Sequence, residues 1–263
     1  MKKLFIISTL FFFSATVLFG QDDDKSFRFG LKVVPSVNWY KPDDKKKFES
    51  DGSVLKFAYG LSTDFKLAGV AWFSTGLQVD YDGGKIKYLD TVGYFINKDG
   101  DIFEPKDTAA NPGYAIHKLE SRTFKATYVT LPLTLRFRTK EIGMMTYFGQ
   151  FGFPLSFKLK GRADDQTRKV NTQGGFDAIS KVEDLDISKD MGFMNMGLTI
   201  GGGAEYNLSG STSLQFGLNF TQGFMNIVRG NSKHLLNDAT PQPQALSQLF
   251  RTRNIGLTVG ILF

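Results

Sequence analysis

From Arg253 to Phe263 the chain alternates without a break. Arg253, Ile255, Leu257, Val259, Ile261 and Phe263 fall on one side of an extended backbone, and Asn254, Gly256, Thr258, Gly260 and Leu262 on the other. Successive strand side chains point to opposite faces, so this spacing belongs to a strand and not to a helix. An apolar face opposite small or polar residues, ending on an aromatic, reads as the closing strand of an outer-membrane β-barrel, with one face in lipid and the other in the lumen. Phe263 is then the expected assembly signal, read by the barrel assembly machinery.

The other end agrees. Lys2 and Lys3 precede an apolar run from Leu4 to Phe19, followed by Gly20, Gln21 and the acidic Asp22 to Asp24. This is the pattern of a secretory signal peptide over residues 1–20, too short for a membrane-spanning helix and with the basic flank of an export signal. Residues 21–263 form one expected domain, since no Pro/Ser linker divides them. The chain has no Cys, which excludes a lipoprotein anchor and any disulfide, so the fold must hold by hydrogen bonds and packing. Loss of the signal takes the formal charge from +6 to about +4, and the basic residues are scattered, so nucleic acid is not an expected partner.

Period-two alternation recurs along the mature chain. Phe27, Phe29, Leu31, Val33, Pro35, Val37 and Trp39 share one face; Leu55, Phe57, Tyr59 and Leu61 a second; Phe73, Leu77, Val79 and Tyr81 a third. Val129 to Phe137, Tyr147 to Leu159, Met194 to Tyr206 and Leu214 to Phe220 continue the series, and the terminal strand makes eight. The connections around Lys66–Gly69, Lys140–Gly143 and Ser209–Ser211 are short, whereas residues 41–53, 83–121, 161–192 and 229–252 are long. Short periplasmic turns and long external loops are the habit of outer-membrane barrels. The expected fold is therefore all-β, an eight-stranded antiparallel transmembrane up-and-down β-barrel in the cell outer membrane, with the long segments outside; within 83–121, Ile86, Tyr88 and Val92 to Ile96 alternate again and are expected to extend the third and fourth strands above the membrane as a hairpin with a protruding edge for a partner strand. A soluble lipocalin-like barrel is the competing reading, but the polar faces are rich in Gly, Ser, Thr, Asn and Gln and would not line an apolar pocket. Phe27, Phe65, Phe73, Phe137, Tyr147, Tyr206, Phe216 and Phe263 fall near one set of strand ends, and Trp39, Tyr81 and Phe157 near the other, as membrane-interface aromatics do.

The inward positions include Lys32, Lys56, Asp64, Asp80, Arg136, Arg138, Lys158 and Glu205. Eight strands enclose an interior that side chains nearly fill, so these mixed charges are expected to form a neutralising lumen network, with a narrow solute pore as the alternative. The stretch Tyr128-Val-Thr-Leu-Pro-Leu-Thr-Leu-Arg136-Phe137 resembles the Tyr-x-x-Ile/Leu-Pro-Leu strand of the PorT-like outer-membrane β-barrel family of Bacteroidota. Tyr59-Gly-Leu-Ser with Ser74-Thr-Gly-Leu-Gln78 is similar to that family's early hairpin. The resemblance implies a barrel fold and, for the family's name-giving members, an accessory part in type IX secretion and gliding, hence a membrane or secretion protein as partner.

Chemistry-bearing motifs are sparse. His117 and His234, with Glu120, Ser121, Ser232 and Asp238, bring a loop-borne hydrolase to mind, but no nucleophile elbow or paired carboxylates accompany them, and no enzyme activity is expected. Asn97-Lys-Asp99-Gly-Asp101 has the wrong residues for a calcium loop, with Lys106 where the bidentate Glu belongs, and reads as a hairpin tip. Gly201-Gly-Gly203 lacks the helix of a phosphate cradle and is expected to relieve crowding in a strand. No cofactor or metal is expected. Lys45-Lys46-Lys47, Arg162, Arg168 and Lys169 give the outer segments basic groups for lipopolysaccharide phosphates, or merely a solvated charge run beside Asp43, Asp44 and Glu49. The expected role is non-enzymatic: structural or surface-binding, in contact with outer-membrane lipid and lipopolysaccharide.

Overall fold

The computed structural model describes residues 26–171, 173–237 and 244–263; the signal-peptide reading and Asp238 lie outside them. Among the described residues thirteen strands follow one another: β1 (Phe27–Pro42), β2 (Phe48–Ser50), β3 (Val54–Ala68), β4 (Ala71–Ile96), β5 (Ile102–Phe103), β6 (Ala115–Arg138), β7 (Met145–Lys169), β8 (Ser180–Asp186), β9 (Met194–Ser209), β10 (Thr212–Gly223), β11 (Asn231–Asn237), β12 (Gln244–Ser247) and β13 (Phe250–Leu262). Eight of them close a ring of antiparallel pairs in the order β1, β3, β4, β6, β7, β9, β10, β13 and back to β1. Closure satisfies the backbone donors and acceptors along both edges of each ring strand, which an open sheet in lipid could not do. No helix among the described residues is long and apolar enough to cross a membrane.

The three short turns join β3 to β4, β6 to β7 and β9 to β10 at what we call the lower end. Each carries a glycine at positive φ, Gly69 at 49°, Gly143 at 66° and Gly210 at 57°, a conformation that costs other residues a Cβ clash. Around the lower half of the ring the apolar face points outward and is bare: Leu61 is 55% exposed, Leu77 56% and Leu218 62%. Between the strands at this level, Phe148 points inward, and the glycines opposite make its room. A Cβ on Gly203 would overlap the Phe216 carbonyl oxygen and lie 2.8 Å from the Phe148 ring.

The upper half departs from the reading of the long segments as loops in all but one place. Within 83–121 β4 and β6 run on as the hairpin expected from Ile86, Tyr88 and Val92 to Ile96, pairing Lys85 with Thr123 and Ile96 with Ala115, and the start of 161–192 is strand as well, β7 pairing Arg162 with Lys125. The remaining five strands also belong to the segments read as loops, with β2, β5 and β11 laid against β4 and β8 against β7. The reason is a change of chemistry on an unchanged pleat. Along β4, Leu77 and Val79 point out and Gln78 and Asp80 in, yet a few residues on Lys85 and Lys87 point out while Ile86 and Tyr88 are buried within. On β6 the same exchange separates outward Val129 and Leu131 from outward Lys125 and Thr123, with Phe124 buried. An extra residue at Leu159 resets β7 at the same level, placing Ala163 and Asp165 inside and Lys160 and Arg162 outside. The upper half thus holds an apolar core of its own within the ring, with charged residues such as Lys85, Lys87 and Lys125 on its outward face, the reverse of the lower half.

Candidate functional site

Three levels fill the ring. At the lower end Asp64 on β3 and Glu205 on β9 meet three guanidiniums. Arg28 donates to Glu205 at 2.7 Å, Arg138 donates to it at 2.9 and 3.1 Å, and Arg136 reaches Asp64 at 3.1 Å and Glu205 at 3.5 Å. Arg138 also bonds Asp64 directly. Arg136 lies over the Phe148 ring at 4.6 Å and Arg138 over Trp72 at 4.4 Å, so the cations are packed as well as paired. Such a cluster stands only because each carboxylate is multiply bonded; isolated charges at this depth would be prohibitive.

Above it lies a polar cavity of about 160 Å³ lined by Lys32, Asp80, Gln78, Thr130, Thr134, Asn219 and neighbouring side chains. Its walls are knitted by Thr130–Ser156 and Thr199–Thr221 hydroxyl pairs at 2.8 Å and by the Asn219 amide donating to Thr258 at 2.8 Å. At its top Asp82 accepts from the Asn38 amide at 2.7 Å and from the Gly83 N–H at 2.6 Å. A layer of aromatics lies above: Tyr40 tilts against Phe124 (5.5 Å), which meets Phe250 (5.9 Å), which meets Phe48 (5.1 Å), which meets Tyr88 (5.5 Å).

The third level is the core of the upper half. Arg122 makes a bidentate pair with Asp165 at 2.7 and 2.6 Å, both fully buried, beneath Tyr94. His117 sits beside it, its Nδ1 3.0 Å from the Thr167 hydroxyl and its ring stacked on Tyr94; burial, then the Lys169 charge, lowers its pKa below the ordinary 6.5. His234 Nδ1 and the Ser232 hydroxyl both bond one oxygen of Asp190, at 2.8 and 2.9 Å. This is not a nucleophile relay: Ser232 donates to the carboxylate, not to the imidazole, and its oxygen accepts the Leu235 N–H at 2.9 Å. Burial pushes the Asp190 carboxyl up, but the bonds from His234, the Lys233 N–H and Ser232 outweigh it and hold the pKa below 3.8.

Of the inward charges expected from the sequence, Asp64, Arg136, Arg138 and Glu205 come together, while Lys32 and Asp80 face the cavity one level up. Lys56 lies against Gly83 at the cavity's top, and Lys158 donates to the Ser188 and Met191 carbonyls, tying down the segment after β8. Arg28, Asp82, Arg122 and Asp165 were missed, although Arg28 shares the parity of Lys32 on the same strand. Lys45 and Lys46 sit exposed and Lys47 half-buried on the β1–β2 turn, across the ring from Arg162, Arg168 and Lys169 on β7, so the basic outer residues are not one patch. Asn97 to Asp101 form a turn between β4 and β5, in which the Asn97 side chain accepts the Asp99 and Asp101 N–H groups at 3.0 and 2.8 Å. Phe263 closes on Phe29, its N–H donating to the Phe29 carbonyl at 2.8 Å.

A closed antiparallel ring, bare and apolar outside and polar within, defines a membrane β-barrel class of protein. Residues 19–229 match the family described as outer membrane protein beta-barrel domain, and the chain belongs to it, which supports an outer-membrane location. The chain is similar in structure to Neisserial surface protein A (14% identity, 90% of this chain and 96% of that one, TM-score 0.39). It is similar also to OprG from Pseudomonas aeruginosa (12%, 89% and 93%, TM-score 0.39) and to Ail of Yersinia pestis (10%, 90% and 98%, TM-score 0.30). No curated protein matches it.

Proposed function

We propose that this chain is an eight-stranded, up-and-down transmembrane barrel with a plugged lumen and no enzymatic role, whose working surface is the soluble extension standing outside the cell. The observation that carries the reading is the exchange of polarity on a continuous pleat. The band from Val129 to Phe137 suits lipid, and the exchange near Thr127 on β6 and Asp82 on β4 marks its outer boundary. The arginine–carboxylate cluster below and the aromatic layer above close the cavity, which argues against the narrow solute pore. The resemblance of Tyr128–Phe137 to the PorT-like strand supports membership of that Bacteroidota group; its residues face the outer wall, the cavity and the lower cluster and not the outer extension, so the secretion role stands as the second reading, tested by crosslinked partner capture.

The absence of native Cys makes the topology directly testable with single-cysteine variants and an impermeant maleimide. Lys87→Cys should label in intact cells, Leu77→Cys should resist labelling, and Glu141→Cys should label only after the outer membrane is opened. Labelling of Glu141→Cys but not Lys87→Cys in intact cells would reverse the orientation. In planar bilayers the purified protein should carry no steady current; a stable open conductance would sink the plugged-lumen reading.

A further inference from the structure

Where β1 and β13 pair, just above the bare apolar wall, three cations share the outward face. Lys41 stands directly opposite Arg251, and Arg253 directly opposite Trp39. Tyr40 and Thr252, the residues between them, are buried inside, so the four side chains point away from the ring. Like charges opposite each other in an antiparallel pair have Cβ atoms about 5 Å apart and repel. Among the described residues the counter-charge is short: Asp43 accepts from Arg251 at 2.9 Å, Arg253 bonds the neutral Gln222 side chain and no carboxylate, and Lys41 makes no ion pair. Two residues lower, a step of about 7 Å along a strand, Val37 and Ile255 open the exposed apolar wall.

We propose that Lys41, Arg251 and Arg253 clamp the phosphorylated headgroup of a lipid A-type glycolipid in the outward leaflet, with Trp39 at the boundary and the acyl chains lying on Val37 and Ile255. A phosphate supplies the missing negative charge, accepts from two guanidiniums at once, and is carried at this height by a lipid whose tails need an apolar wall. A soluble acidic protein would satisfy the charge but not the continuity with the lipid-facing surface. The proposal rests on the membrane-spanning reading above.

The test uses the full chain refolded into phosphatidylcholine nanodiscs and titrated with lipid A or with phosphatidylglycerol. Trp39 emission is read in a Trp72→Phe background, Trp39 then being the remaining tryptophan. Lys41→Gln/Arg251→Gln/Arg253→Gln should weaken lipid A binding roughly a hundredfold, each basic group near an anionic surface being worth about fivefold. Arg251→Lys/Arg253→Lys should keep most of the affinity, and Lys85→Gln/Lys87→Gln/Lys160→Gln, on the outward faces of β4 and β7, should bind as the parent does. A triple clamp variant that titrates like the parent, an equal loss from the β4/β7 variant, or an equal response to phosphatidylglycerol overturns the site. Failure of the parent to give a folded, heat-modifiable gel band in nanodiscs is a separate result and removes the spanning reading with it.

Discussion

Glu205 is the carboxylate that all three lower guanidiniums share, so Glu205→Gln is the sharpest perturbation of the plug. The amide keeps the shape of the side chain while three cations, which now face two carboxylates, are left with one. Removing one partner of a buried pair costs about 3–5 kcal/mol, because the remaining charge stays out of water. Arg28 is 12% exposed against 2% for Glu205 and can turn part of its guanidinium to solvent, which moves the expected cost to the lower end, about 3 kcal/mol. Urea titration of the folded barrel in detergent micelles measures it, and Trp72, with Arg138 4.4 Å from its ring, reports the cluster by fluorescence. Arg138→Met in the Glu205→Gln background removes the surplus cation and should recover about half of the loss. A cost below about 1 kcal/mol, the level of a surface pair, would show that the cluster is solvated and not a plug. Failure of Arg138→Met to restore stability would equally refute the charge-balance reasoning.

Leu218→Arg puts a cation on the bare outer face and should cost about 2–4 kcal/mol near the bilayer midplane, while Asn219→Ser on the inner face should cost under about 1 kcal/mol by the same titration; equal costs would contradict the assignment of faces. Deleting Phe263 removes the main-chain bond and the ring contact at 5.3 Å to Phe29 and should lower the amount of folded protein in outer membranes, whereas unchanged levels would free Phe263 of any assembly role. Asp190 has a folded pKa below its ordinary 3.8, so the stability it lends to β11 is complete above that value and is lost as pH falls through the folded pKa. Hydrogen exchange at Lys233 and Leu235 should therefore quicken below about pH 4 in the parent and be fast already at pH 6 in Asp190→Asn, and indistinguishable profiles would remove Asp190 from the clasp.

Alternation reveals which residues share a face but not what that face meets, and this explains both what was legible and what was not. The stretch Val129–Phe137 could be read correctly because its neighbour on each side of the sheet obeys the same rule, apolar out and polar in. Ile86 and Tyr88 obey the same period with the opposite sense, so their alternation showed the strand running on, and what it hid was that the apolar side there faces inward. The inward charges suffer from a second blindness: parity puts Asp64, Asp80, Lys32 and Glu205 inside, while height along the barrel axis is set by registers and stagger accumulated around the ring. Asp64 and Glu205 converge from β3 and β9, strands that share no hydrogen bond, and Asp80, inward like them, ends one level higher. The cation ladder escaped for both reasons at once. Lys41 and Arg251 lay in segments taken for loops, and Arg253 counted as one more member of the lipid-facing row. Only the pairing of β1 with β13 brings residues from the two ends of the chain side by side with so little acid between them, and a surplus of charge at the edge of the lipid band is a property of that seam and of neither strand alone.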